Sequence, residues 1–149
     1  MHNSSQEDVM SYCACDIVKS VVNGYNGTVM CYGQTGAGKT FTMNGSTPNF
    51  KYRGIIPRAI NQIFQEIGSH YDHEFVIKAS YLEIYNEQLY DLLSDEPRDP
   101  SGGSAISIQD DAKGEVHVKG LSLHQVTNEE EALNHLFEGE TRKTCASTT

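Results

Sequence analysis

Hydrophobic and polar residues change rhythm several times along this chain, and each change marks an element. Val9, Cys13, Ile17, Val18, Val21 and Val22 recur about every 3.6 residues, the spacing of one helix face. Ser4-x-x-Glu7 ahead of them has the form of a capping box, and Gly24 supplies a stop. After a turn at Tyr25-Asn26-Gly27, the run Thr28-Val29-Met30-Cys31-Tyr32 lacks charge and alternation, which predicts a strand buried on both faces. A glycine-rich stretch follows at once, and a helix should open at Lys39. Residues 45–54 read as an exposed loop. Pro57 suits the first turn of the next helix, whose stripe is Ile60, Ile63, Phe64 and Ile67.

Phe75-x-Ile77-x-Ala79-x-Tyr81 alternates and predicts a strand running on to Tyr85. Residues 95–103, with Pro97, Pro100, Gly102 and Gly103, have the composition of a linker-like loop. Ile106-x-Ile108 and Val116-x-Val118 predict a hairpin about Asp111-Ala112-Lys113-Gly114. Thr127-x-x-Glu130 is a second capping box, opening a helix with Ala132, Leu133, Leu136 and Phe137. No internal repeat is present. The order of elements predicts an α/β fold, a central sheet flanked by helices with a small β-hairpin.

The 149 residues are the length of one ordinary domain, and 38% apolar content is enough for a modest core. No stretch reaches the run of about 18 apolar residues that a membrane span needs. The polar start His2-Asn3-Ser4-Ser5 lacks a signal-peptide core. The expectation is a soluble, intracellular chain with no membrane partner. A net charge of −9 leaves no basic surplus, so free nucleic acid is not an expected partner. The acids gather in residues 83–111 and 129–140, as solvated faces do. Four cysteines are present, and Cys13-x-Cys15 has no second pair at zinc spacing. Buried free thiols are expected.

The most specific chemistry lies between the apolar run and the helix that follows it. Gly33-Gln34-Thr35-Gly36-Ala37-Gly38-Lys39-Thr40 matches G-x-x-x-x-G-K-[ST] in full. Glycines let the backbone wrap close to phosphate oxygens, so that several N–H groups form an anion nest. The helix beyond adds its positive end. Lys39 would bridge the β and γ phosphates of a nucleoside triphosphate, and Thr40 would place its hydroxyl on Mg²⁺. A glycine-rich turn beside a surface lysine is the plainer account, but it leaves the flanking strand and helix patterns unexplained. No catalytic apparatus is equally clear. Ile106-Ser107-Ile108-Gln109-Asp110 faintly resembles a strand ending in a metal-binding Asp, yet an exposed hairpin strand accounts for it. Glu83 and Glu87 fit surface positions, and no histidine is placed to act.

The words around the loop are more specific than the loop. Gly24-Tyr25-Asn26-Gly27-Thr28, then Tyr32 through the loop to Phe41-Thr42-Met43, resembles the nucleotide-binding segment of the kinesin motor domain. Arg53-Gly54-Ile55-Ile56-Pro57-Arg58, Ser80-Tyr81-Leu82-Glu83-Ile84-Tyr85-Asn86-Glu87 with Asp91-Leu92-Leu93, and Val118-Lys119-Gly120-Leu121 agree in order and spacing. The resemblance covers essentially all 149 residues. Met30-Cys31-Tyr32 and Leu136-Phe137-Glu138-Gly139-Glu140-Thr141 look like the ninth kinesin subfamily, associated with cilia and flagella.

The resemblance implies a microtubule-stimulated ATPase of the cytoplasmic cytoskeleton that turns hydrolysis into movement. By position, Gln34, Thr35, Gly36, Ala37, Gly38, Lys39 and Thr40 hold the phosphates with Gly33. Phe41 takes the place of a residue that packs on adenine, unless it serves only the helix core. The hairpin region meets tubulin in the family, so Lys113 and Lys119 either touch acidic tubulin or are ordinary solvated lysines. Residues 1–149 correspond to part of a motor domain. The family's Arg-x-Arg-Pro strand would precede them. Its Asn-x-x-Ser-Ser-Arg-Ser-His and Asp-Leu-Ala-Gly switches would follow Cys145-Ala146-Ser147-Thr148-Thr149. Without the switches this stretch alone is expected to lack catalysis, and without neighbouring strands to be poorly stable. The alternative is a non-motor chain that binds nucleotide or tubulin weakly. Direction, cargo and oligomeric state are not written in these residues.

Overall fold

The computed structural model describes residues 4–46, 50–95 and 106–143. Most of the linker-like loop, Pro48, Asn49 and Cys145 lie outside them. The chain forms two compact units, Met1–Phe75 and Val76–Thr149.

The first unit is helical. One long helix was expected from the first apolar stripe; two form, α1 (Gln6–Cys13) and α2 (Cys15–Val22). They bend at Ala14, whose small side chain is buried at the point where the helices meet the core. The capping box begins at Ser5, not Ser4: Asp8 N–H donates to Ser5 Oγ while Ser5 N–H donates to Asp8. Next come α3 (Lys39–Met43), a 3-10 turn at Phe50–Tyr52, and α4 (Ile55–Ile67). Helix α4 starts before Pro57, which occupies its first turn, where a missing N–H costs nothing. Met10, Ala14, Val18 and Ile55 form the core, with Val9, Val29, Met43, Ala59 and Ile63 packed against it.

Residues 28–32 are not a strand in a sheet. An extended segment becomes a strand only by pairing its N–H and C=O groups, and no described segment pairs with this one. Nor is it buried on both faces. Val29 turns to the helical core, while Met30 is 83% and Tyr32 96% exposed.

The second unit holds β1 (Ile77–Ala79), β2 (Leu82–Tyr85), β3 (Gln88–Asp91), β4 (Ser107–Asp110), β5 (Val116–Lys119), β6 (His124–Val126) and α5 (Glu129–Arg142). The expected central sheet is not formed among the described residues. Three two-stranded antiparallel sheets stand instead, β1–β6, β2–β3 and β4–β5. The expected strand through 75–85 is broken at Ser80-Tyr81, so that β2 can turn back on β3 through Asn86 and Glu87, both at positive φ (50° and 63°). The β4–β5 hairpin forms as its alternation predicts, with Ile108 opposite Val118. Helix α5 is capped one residue later than expected: Asn128 accepts from Glu131 N–H, and the Glu131 carboxylate accepts from Thr127 N–H and Oγ1. Its buried face is Ala132, Leu133, Leu136 and Gly139. No described helix is long and apolar enough to cross a membrane.

Candidate functional site

The glycine-rich loop is shaped by backbone angles that side chains resist. Gly36 and Gly38 take φ of 82° and 89°, and nothing lies within 4 Å of where a Cβ would stand at either. Conformation, not crowding, therefore calls for glycine here, and the space beside the backbone is open to an approaching anion. Ala37 N–H donates to Gln34 O at 3.2 Å, closing the turn. Lys39 bends back over the loop, and its ammonium donates to Gly33 O (2.7 Å) and Gln34 O (2.8 Å). Thus residues 33–40 form one local cradle with the cation turned toward it. Gln34, Thr35, Gly36, Ala37 and Thr40 are exposed; Gly33, Gly38 and Lys39 are half-buried.

A helix does open at Lys39, but α3 has only five residues. Its dipole is correspondingly small, so the loop amides and Lys39 supply most of the positive field. The residues fit a Mg²⁺–triphosphate: backbone donors on an open face, one ammonium, and the exposed Thr40 hydroxyl in the first turn. Phe41 is half exposed, with ring surface available for stacking.

The other candidates lie on other elements, in local contacts of their own. Glu83 is on β2, Glu87 in the β2–β3 turn, Asp110 at the end of β4. Lys113 and Lys119 are exposed on the β4–β5 hairpin. Each described histidine has a nearby partner: His70 with Glu66 O, His73 with Asp72, His117 with Asp111, His124 with Ser122 and His135 with Glu138. Among the described residues one trio could surround an ion, Asp111, Glu115 and His117, all exposed. Its Asp111 is already engaged by the amides of Glu115 and Lys113 and by His117, which hold its carboxyl below the usual value and fix the hairpin turn. Cys13, Cys15 and Cys31 are free thiols, but none is buried; Gln62 donates to Cys15 O and Sγ.

One contact to the cradle was not legible in the sequence. The buried amide of Gln6 donates to Phe41 O at 2.7 Å, joining α1 to α3. A glutamine opening a helix reads as solvated, and nothing in its spacing signals burial.

Comparison with known proteins places this loop in a family. The profile described as the kinesin motor domain matches residues 1–149. Kinesin-like protein KIF9 of Mus musculus and of Homo sapiens are each 49% identical to the chain across all its 149 residues. Kinesin-like protein KLP1 of Chlamydomonas reinhardtii is 46% identical over 98% of the chain. The chain spans about a fifth of the length of these curated relatives, 19% of KIF9 and 18% of KLP1. The match runs through the glycine-rich loop, both units and the hairpin, and the chain belongs to the kinesin motor domain family.

Proposed function

We propose that this chain is the nucleotide-holding part of an ATP-driven microtubule motor. The observation that carries the reading is the loop of residues 33–40, with Gly36 and Gly38 left-handed and the Lys39 ammonium held over the loop carbonyls. In this reading the loop amides bind the α and β phosphates. Lys39 exchanges its two carbonyls for β and γ oxygens, where full negative charge makes a stronger partner. Thr40 holds Mg²⁺, which when bound neutralises phosphate charge. Phe41 offers its exposed ring to adenine. The β4–β5 hairpin, with Lys113 and Lys119, faces tubulin. The motor works on microtubules in the cytoplasm, and the resemblance of residues 30–32 and 136–141 to ciliary and flagellar kinesins favours a cilium or flagellum as its site.

A second reading is a chain that binds nucleotide or tubulin weakly and does no chemistry. The eight residues of the loop, 33–40, include no carboxylate and no histidine, which favours it. Two measurements separate the readings. Binding of a fluorescent ATP analogue with Mg²⁺ tests the cradle, and no binding by the wild-type chain defeats both readings at this loop. ATP turnover that rises with microtubules supports the motor; binding without turnover supports the second reading.

A further inference from the structure

Five residues make too short a helix to hold itself in water, so α3 must be fixed from outside. Its last carbonyls are the weak point. In a continuing helix Phe41 O would accept from the N–H of Gly45. That N–H goes to Thr40 O instead, at 3.3 Å, and Asn44 N–H goes to Thr40 O as well, at 2.8 Å. Phe41 O is left without its helical donor, and Gln6 Nε2 supplies one at 2.7 Å. Gln6 is 7% exposed and stands beside the Met10–Ala14–Val18–Ile55 core on the same helix as Met10. An amide so placed has lost its water, so the bond to Phe41 is its compensation, and breaking it leaves the buried amide without a partner and Phe41 O without its donor. A second tie, Gly54 N–H to Asn44 O at 3.1 Å, joins the residue after α3 to the start of α4.

We infer that Gln6 is a positioning residue of the nucleotide site: through Phe41 O it fixes α3, and with it the direction of Lys39 and Thr40. The inference rests on the reading of residues 33–40 as a nucleotide cradle. Gln6 touches no ligand. It raises the fraction of chains whose loop is ready to bind, and apparent affinity scales with that fraction.

The test uses Gln6→Met, which keeps the length and removes the donor, and Gln6→Glu, which keeps the shape and donates only when protonated. Affinity for a fluorescent ATP analogue with Mg²⁺ is measured well below the melting temperature of each variant. Gln6→Met should bind about tenfold more weakly than wild type. Gln6→Glu should be at least as weak at pH 8, and its ratio to wild type should recover as pH falls to about 5.5, because burial favours the neutral acid that restores the bond. A purely structural role would lower melting temperature and leave that ratio flat with pH. Equal affinity for Gln6→Met, or a flat ratio for Gln6→Glu, overturns the inference. Amide exchange without nucleotide provides an arm independent of the cradle reading. If wild type binds no nucleotide, that reading falls, and so does the site that Gln6 would serve. If wild type binds and exchange over residues 39–44 is unchanged in Gln6→Met, the inference alone falls.

Discussion

The Tyr81 phenol donates a hydrogen bond to the Glu140 carboxylate, 59 residues further along. The ring lies directly against Gly139, where a Cβ would overlap it. This pair fastens α5 to the segment between β1 and β2. Burial, then the hydrogen bond to Glu140 and the charges of Glu140 and Glu83, push the phenol well above its ordinary value of 10.0. Tyr81→Phe should cost about 1–2 kcal/mol by leaving the carboxylate without its donor. In an exposed helix Gly→Ala stabilises by roughly 1 kcal/mol. Here Gly139→Ala should instead destabilise by about 1–3 kcal/mol through overpacking. Urea denaturation of the three proteins decides both, and a stabilising Gly139→Ala would show that the ring yields freely. Spectrophotometric titration of the wild type should show one tyrosine ionising later than the others.

Asp91 organises the other end of the β2–β3 hairpin. Its carboxylate accepts from Leu93 N–H (2.9 Å) and Ser122 N–H (2.6 Å). Burial opposes its ionisation, but the bonds from Ser122, Leu93 and Ser94 outweigh burial and hold its pKa below 3.8. A carboxyl whose pKa is depressed on folding adds stability that is fully present above its unfolded value and lost as pH falls through its folded value. Asp91→Asn should therefore be less stable than wild type at pH 7, since its amide turns a second donor toward the two N–H groups. The gap should narrow only below about pH 3.8. Melting curves of both proteins from pH 7 to pH 2.5 test this; a gap independent of pH would mean that charge at Asp91 is not what the amides recognise.

Val29 and Met30 are neighbours with opposite surroundings. Val29 packs on the helical core, and Met30 is 83% exposed on a segment whose backbone pairs with no described strand. An unpaired apolar edge templates association. Met30→Lys should reduce self-association, seen by sedimentation velocity as concentration rises, with little change in melting temperature. Val29→Lys should cost about 1–3 kcal/mol, because it drives a charge against apolar neighbours. Equal effects from the two would mean that the segment does not hold one face to the core.

What the sequence disclosed follows from how local each feature is. The turn at residues 33–40 is legible because the left-handed Gly36 and Gly38 and the bent-back Lys39 answer to backbone geometry within eight consecutive residues of one motif. The β4–β5 hairpin and α5 follow from short-range period and turn chemistry. Capping was misplaced by one residue at Ser5 and again at Asn128, where adjacent Ser-Ser and Thr-Asn pairs offer two equivalent starts. The β2–β3 turn was missed because Asn86-Glu87 lacks the glycine that usually announces positive φ. The central sheet was expected from the order of elements along the chain, but ladder pairing is a relation between distant segments, and residues 28–32 find no such partner among those described. Gln6 was invisible for the same reason: its role depends on a carbonyl 35 residues away.

Lys39 separates binding from folding. Its ammonium bonds to Gly33 O and Gln34 O, both within six residues and close to solvent, so these bonds contribute little to the fold. Toward a triphosphate the same ammonium would be a charge-assisted partner that no neighbour replaces. Lys39→Ala should leave the nucleotide-free melting temperature nearly unchanged and weaken Mg-ATP binding by about a hundredfold. Linkage gives a clear readout: a ligand at a hundred times its dissociation constant adds about 2.7 kcal/mol to stability. Wild type should therefore melt several degrees higher with saturating Mg-ATP, and Lys39→Ala at the same concentration should gain far less. Thr40→Ala should keep part of the shift and lose most of its dependence on Mg²⁺, since it removes the hydroxyl and leaves Lys39 in place. An undiminished shift in Lys39→Ala would place the nucleotide elsewhere on the chain and remove the lysine from the site.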